Sequence, residues 1–224
     1  MSDRILVLIP CHDCAEDIPR ILGQFQAPIS SYLETILVLD NGSQDGTREA
    51  AIAAALKLPR LDIRVARNRR HFSLDGSHQA AFHFALRRGY SHVLVLSDTR
   101  RCRTADIMPA LKQKLHRKYD ACLGAGLSIF NACAMRSPRT IRYSETSRFN
   151  ILAWLDRRHE ELSVTCFPVR KKKAGKPPSA WPAWLARARH LLAPVQVPMA
   201  DRRAARHSEY RFDLIFPLLM QGVA

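Results

Sequence analysis

Glu34 to Thr47 reads ETILVLDNGSQDGT, and its two halves demand different structures. Ile36-Leu37-Val38-Leu39 is continuously apolar and rich in branched side chains, the pattern of a strand buried on both faces of a parallel sheet. Asp40-Asn41-Gly42-Ser43 ends the run, and a helix is predicted to begin near Ser43–Asp45. Gly42 supplies the sharp turn, and Ser43 is the predicted cap for the unbonded N–H groups of the helix behind it. Asp40 is thereby set at the carboxyl end of an interior strand, where open α/β sheets hold their ligands. An ordinary strand-to-helix turn with polar caps has the same composition, so the flanking chain has to decide between the two.

Upstream, Ile5-Leu6-Val7-Leu8-Ile9 is a first buried strand stopped by Pro10. Cys11-His12-Asp13-Cys14 follows, then a predicted helix from about Glu16 to Phe25 with Ile18, Ile21, Leu22 and Phe25 on one face. Downstream, Asp45 to Leu58 is an alanine-rich helix and Leu61 to Ala66 alternates like a shorter strand. A third helix is predicted from about Asp75 to Arg88, with Gly89 closing it. Val93-Leu94-Val95-Leu96 is a fourth strand ending in Ser97-Asp98-Thr99, and a helix near Ala105–His116 and a strand at Asp120–Leu123 continue the alternation. Repeated βα units with short links predict an α/β fold: a doubly wound, mostly parallel sheet with helices on both faces.

The chain of 224 residues, 47% hydrophobic and 25% charged, is long enough for one full α/β core and has a globular composition. Its net charge of +15 calls for an anionic partner, but the charge is uneven. Between Arg170 and Arg206 ten Lys/Arg face the single acid Asp201, so this segment supplies nine of the fifteen net charges. The organisation read from this is a domain over residues 1–169 and a basic extension over 170–224. In the extension Lys171-Lys172-Lys173 and Pro177-Pro178 form a basic linker, and Trp181, Trp184, Leu185, Ala188, Leu191 and Leu192 share one helical face. A basic amphipathic helix with tryptophans suits an anionic membrane surface; an ordinary helix docked on the domain has the same pattern. Nucleic-acid binding by this segment would rest on charge alone.

No apolar run approaches the roughly 20 residues of a membrane-spanning helix. The first strand starts within a few residues of Met1 with no leader ahead of it, so a cytoplasmic protein, peripheral at the inner face of the membrane, is expected. The six cysteines then read as buried free thiols. Cys11-His12-Asp13-Cys14 also has the Cys-x-x-Cys spacing of redox proteins, where a helix N-terminus lowers the pKa of one thiol. A zinc site would need two further ligands, and there is no second Cys pair. His71, His78 and His83 lack metal-ligand spacing and are expected at the surface or lining a site.

Taken in order, these segments resemble the family-2 glycosyltransferases of GT-A fold, nearest the polyprenol-phosphate (dolichol-phosphate) mannosyltransferase-like branch. Ile5–Ile18, ILVLIPCHDCAEDI, is similar to the family's opening strand and helix start. Pro10 is kept, while His12 stands in the aromatic position, Asp13 in the Asn position and Cys14 in the Glu position. Asp40–Thr47 is the best match, and Asn68 with His71–His78 resembles the next loop and helix start. Leu127–Met135, Thr146–Leu152 (TSRFNIL) and Leu162–Arg170 (LSVTCFPVR) resemble later segments, with Asn150 in place of an Asp and Leu152 in place of a Glu. The resemblance spans about residues 3–170, and several dozen residues of the acceptor side are missing before Leu127.

The resemblance implies inverting transfer of a sugar from a nucleotide-sugar donor to an acceptor, here a polyprenyl phosphate. It implies a donor site made of Pro10, His12, Asp13, Asp40, Ser97, Asp98 and Thr99, with Asp40 on the nucleotide base. Family members end the fourth strand in an Asp-x-Asp motif that holds Mg²⁺ or Mn²⁺ against the donor diphosphate, because such cations take hard oxygen ligands. Ser97-Asp98-Thr99-Arg100-Arg101 keeps one carboxylate, Asp98, displaced by one residue. Asp98 is therefore the sole metal-ligand candidate, and Arg100, Arg101 and Arg103 are the candidates for neutralising a diphosphate directly. A solvated basic loop is the competing reading of those arginines. The competing reading of the whole chain is a non-catalytic nucleotide-binding or assembly protein that keeps the fold.

Overall fold

The computed structural model describes residues 3–68, 74–98, 103–124, 126–136, 151–158, 160–166 and 212–214. Two strands carry the interior: β1, Ile5–Cys11, and β2, Thr35–Asp40, pair in parallel from Leu6↔Thr35 to Cys11↔Asp40. Every residue of β2 is buried, as its unbroken apolar run requires. β3, Asp62–Asn68, flanks β2, and β4, His92–Leu96, flanks β1, both in parallel. The sheet reads β7 (Val164–Cys166), β5 (Ala121–Leu123), β6 (Leu127–Asn131), β4, β1, β2, β3 and β8 (Phe212–Leu214). The chain thus winds outward from β1 in both directions, and the reversal lies between β1 and β4, where open sheets form a crevice at the carboxyl edge.

Side chains alternate between the two faces with the strand period of two. Ile5, Val7 and Ile9 of β1, with Ile36 and Val38 of β2, join one core; it is closed by α1 (Ile18–Leu22), α2 (Thr47–Leu56) and α4 (Met108–Lys112). Leu6, Leu8, Leu37 and Leu39 join the opposite core, closed by α3 (Leu74–Arg88) and α6 (Ile151–Arg157). Helices on both faces of a mostly parallel sheet are what the sequence calls for.

Several boundaries differ from the sequence reading, each for a local reason. α1 is shorter than Glu16–Phe25, because Pro19 fits only the first turn of a helix and Gly23 follows the last. The helix expected over Ala105–His116 is three pieces: a 3₁₀ turn at Thr104–Asp106, α4, and α5 (Leu115–Lys118). Pro109 lies in the first turn of α4, and Lys114, with φ 52°, reverses the chain between α4 and α5. The alternation itself stops being parallel after β5, Ala121–Leu123. Only residues 124–126 lead to β6, Leu127–Asn131, too few for a crossover, so β6 runs antiparallel between β5 and β4. β7, Val164–Cys166, returns parallel to β5. In the basic extension the described piece is β8, Phe212–Leu214, antiparallel on the outer edge of β3. Trp181, Trp184 and Leu185 lie outside the described residues, as does His71.

His78 is not at the surface. It is 4% exposed, stacked on Phe82 and edge-on to Phe130 in the α3 core. Burial pulls its pKa down from 6.5 to about 4, so the ring is neutral in the fold. His92, on β4, is shifted down by burial in the same direction. The unfolded chain therefore takes up protons that the fold refuses. The resulting stability is complete above pH 6.5 and is lost as the pH falls toward about 4. For His78 alone this amounts to about 3 kcal/mol. Urea unfolding of wild type and His78→Leu at pH 7 and pH 4 should show the variant losing about 3 kcal/mol less across that interval. Parallel acid limbs in the two proteins would mean His78 is not held neutral.

Candidate functional site

The carboxyl ends of β1, β2 and β3 are tied into one unit by their own loops. Asn41 N–H donates to the Cys11 carbonyl at 2.8 Å, continuing the β1–β2 ladder past the end of the strands. Asp13 N–H donates to Ser43 Oγ at 3.0 Å, and Gln44 N–H returns a bond to Asp13 Oδ1 at 3.0 Å. Cys14 N–H donates to Thr47 Oγ1 at 2.8 Å, and Ala15 N–H to Asp45 Oδ2 at 2.9 Å. Asp13 adopts φ 45°, a left-handed conformation that Asp tolerates better than most residues. That kink turns the β1–α1 loop so that successive amides, at 13, 14 and 15, face the β2–α2 loop.

The cap of α2 is accordingly not Ser43, which is engaged with Asp13. α2 starts at Thr47, after Gly46 at φ 83°, and Asp45 Oδ1 accepts the Thr47 N–H and hydroxyl. The Ala15 N–H, followed by the Thr47 hydroxyl, holds the Asp45 carboxyl below the usual Asp value. Asp45 thus serves both loops at once. The motif SQDGT already carried it, but a carboxylate just before a helix is normally credited to that helix alone.

Asp40 is fully buried at the end of β2. Its Oδ1 accepts the Ser43 N–H at 2.9 Å, and its Oδ2 has no hydrogen bond among the described residues, with Arg67 Nε at 3.4 Å as its ionic neighbour. Arg67 comes from the end of β3, in register with Asp40, and its Nη2 donates to the Ser43 carbonyl at 3.0 Å. Beside this pair, Asn68 Nδ2 donates to Asn41 Oδ1 at 2.9 Å. Sequence reasoning missed Arg67. Its signal is the alternation of LDIRVARN, which puts 63, 65 and 67 on one face with the last at the ligand edge.

Of the other predicted site residues, Pro10 is half-buried within β1, and His12 and Asp13 are exposed on the loop after it, with His12 Nε2 3.6 Å from Asp13 Oδ2. Ser97 is exposed past β4, its N–H bonded to the Gly126 carbonyl at 2.8 Å, and Asp98 is half-buried beside it. Arg103 is exposed ahead of the 3₁₀ turn. Thr99, Arg100 and Arg101 lie outside the described residues. The ends of β4, β1, β2 and β3, side by side in that order, thus open on one edge of the sheet.

As a cradle for Mg²⁺ or Mn²⁺ these residues are poor. Asp98 is the single carboxylate described at the end of β4, and Asp40 is already opposed by Arg67. Among the described residues no group of three His, Cys, Asp or Glu side chains could hold a metal ion. A separate cavity, lined by Ser30, Glu34, Thr35, Arg60 and Asp62, lies at the opposite, amino edge of β2 and β3 and has no part in this site. No helix among the described residues is long and apolar enough to cross a membrane.

Fold and edge geometry define a GT-A-type α/β domain. No protein-family model matches the chain. It is 32% identical over 124 residues to the polyprenol monophosphomannose synthase of Mycolicibacterium smegmatis, an alignment covering 55% of this chain and 45% of that protein. The chain thus matches less than half the length of that curated relative. Among solved structures it resembles a mannosyltransferase from Pyrobaculum calidifontis, described in complex with GDP-Man and Mn²⁺. That match has a TM-score of 0.58 and 17% identity, and covers 85% of this chain and 62% of the other. The fold is that of the GT-A glycosyltransferases. In sequence the domain resembles the family-2 glycosyltransferases of the polyprenol-phosphate mannosyltransferase-like type.

The Asp40–Arg67 pair has a structural consequence of its own. Arg67→Met leaves a buried carboxylate without its counter-charge and should lower the unfolding free energy by about 1–3 kcal/mol in urea melts. Adding Asp40→Asn should recover part of that loss in a double-mutant cycle. Strictly additive losses would show that the two side chains do not interact.

Proposed function

We propose that the chain binds a nucleoside-diphosphate sugar of the mannose class and transfers the sugar, with inversion, to a polyprenyl phosphate. The observation that carries this reading is the locked edge at the ends of β1, β2 and β3, which presents Asp13, Asp40 and Arg67 together. The similarity to mannosyltransferases supports it. Asp40 Oδ2 is an acceptor with no hydrogen bond among the described residues, suited to a base N–H once the Arg67 guanidinium swings aside. Arg67, partly exposed, then stays beside the nucleoside. Ser97, Asp98 and Thr99 would border the diphosphate, and Arg100, Arg101 and Arg103 would neutralise it as guanidinium groups do.

In the transfer itself, an acceptor phosphate oxygen attacks the anomeric carbon on the face opposite the leaving group. The bond from that carbon to the nucleoside diphosphate breaks, and its electron pair leaves with the diphosphate. A phosphate acceptor is anionic at neutral pH, so the step needs no general base. The protein's contribution is to hold the donor in line and stabilise the departing charge.

Incubation with GDP-mannose and a polyprenyl phosphate should yield lipid-linked mannose. Asp40→Asn should weaken nucleotide binding in calorimetry by about 1–3 kcal/mol. Binding without transfer would favour the second reading, a non-catalytic nucleotide-binding or assembly protein. That reading draws on Ser97 and Thr99 standing where carboxylates are expected. No nucleotide binding at all would sink both.

Metal should matter less here than in relatives with both carboxylates. Calorimetric nucleotide affinities in EDTA and in Mn²⁺ should agree within about threefold. A large gain with Mn²⁺ would mean that other carboxylates complete a metal site.

The basic extension is the proposed contact with an anionic membrane surface. Each Lys or Arg near such a surface contributes about 1 kcal/mol, and salt screens it. Binding to phosphatidylserine vesicles should therefore weaken with salt without vanishing. Trp181→Ser with Trp184→Ser should remove the salt-resistant part. If the tryptophans instead dock on the domain, the same changes lower the melting temperature and leave vesicle binding intact.

A further inference from the structure

The two thiols of the Cys-x-x-Cys sequence at the end of β1 play no part in the donor site described above, which uses only the backbone of these residues. Cys11 and Cys14 are both free and both buried, at 2% and 6% exposure, within the same core cluster beneath α1 and α2. The left-handed turn at Asp13 folds the chain back between them. The Cys11 carbonyl is held by Asn41 N–H, the Cys14 N–H by Thr47, and the Cys14 carbonyl by Asp17 and Ile18 N–H at 3.0 Å. Both backbones are therefore fixed, and both side chains, three residues apart, belong to the same buried cluster. A buried thiol facing only aliphatic neighbours is inert; a second thiol as its neighbour changes its chemistry.

We propose that Cys11 and Cys14 are an oxidation site, closing to a reversible intrachain disulfide when the protein meets a hydroperoxide. The two thiols are electronically unequal. The neighbouring Cys14, with burial, pushes the Cys11 thiol well up. The Cys14 thiol is pulled down by Cys11 first, and then by Thr47 and the His12 backbone. Cys14 is also the more exposed of the pair, so it is the attacking group. Its thiolate displaces the terminal oxygen of the hydroperoxide. An S–O bond forms, the O–O bond breaks, and the alkoxide leaves and takes a proton from water. Cys14 is now a sulfenic acid. Cys11 gives up its proton and attacks the Cys14 sulfur; the S–S bond forms, the S–O bond breaks, and hydroxide leaves as water. Two thiols and one hydroperoxide become a disulfide, an alcohol and water. Nearness of the resolving thiol is what stops the ladder at the disulfide instead of sulfinic acid.

The experiment uses the full wild-type chain with no nucleotide present, so it is independent of the sugar-transfer reading. The protein is treated with equimolar hydrogen peroxide, denatured in N-ethylmaleimide, digested and mapped by mass spectrometry. The peptide containing Cys11 and Cys14 should lose two hydrogens and take no maleimide. Dithiothreitol before denaturation should restore two labels. Cys14→Ala should abolish the pairing, and Cys122→Ser, at a buried thiol elsewhere in the core, should leave it unchanged. Full labelling of both cysteines after peroxide treatment would overturn the proposal. So would accumulation of Cys14 sulfinic acid without a Cys11 crosslink.

Discussion

The reciprocal hydrogen bonding of the β1–α1 and β2–α2 loops is the constraint on which this edge of the molecule depends. Five bonds run between residues 11–15 and 41–47, and the acceptors include two carboxylates, two hydroxyls and one carbonyl. Each satisfies a backbone N–H in the two strand-to-helix loops, where neither strand nor helix offers another partner. A single loop left alone would have to solvate those amides. Pairing the two loops lets the strand ends approach while remaining polar, which is what a ligand edge of a parallel sheet needs.

Asp40 extends that lock to a third strand. A carboxylate with no exposure is costly unless opposed, and Arg67 and the Ser43 N–H oppose it from two directions. Because Arg67 Nη2 also binds the Ser43 carbonyl, the guanidinium bridges β3 to the turn as well as to the charge. The edge is thus preorganised: donors and acceptors are placed before any ligand arrives. The same geometry puts two thiols under the loop, where a change in one would be felt by every bond above it.

The fold was legible because both faces of β1 and β2 are apolar, and a run such as ILVLI or ILVL fits few other environments. Local reading did less well wherever two distant segments share one group. Asp45 accepts the Thr47 N–H, and Ser43, the expected cap, bonds Asp13 instead, because the partner amides come from residues 13 and 15, which no window around SQDGT contains. Arg67 was missed for the same reason: the alternation of LDIRVARN sets it at the ligand edge, but its partner is on the next strand. His78 looks polar in sequence but packs on Phe82 and Phe130, and Phe130 belongs to a strand that the parallel pattern did not anticipate. Of the site residues, Asp13 and Asp40 are joined through the Ser43–Gln44 turn, whereas Ser97 and Asp98 sit past β4, the neighbour of β1 on its other side. What the sequence lacks there, a second carboxylate, is a matter of residue identity and was readable directly.

The central claim is that this locked edge is where the nucleotide-sugar binds. Backbone hydrogen–deuterium exchange with and without GDP-mannose tests it most directly. Slowed exchange at residues 11–15, 40–47 and 66–68, and at 97–103 beside the diphosphate, is the predicted result, since a ligand seated there shields and stiffens the edge. Protection appearing instead at the amino edge, around Ser30 to Thr35 and Arg60 to Asp62, would contradict it.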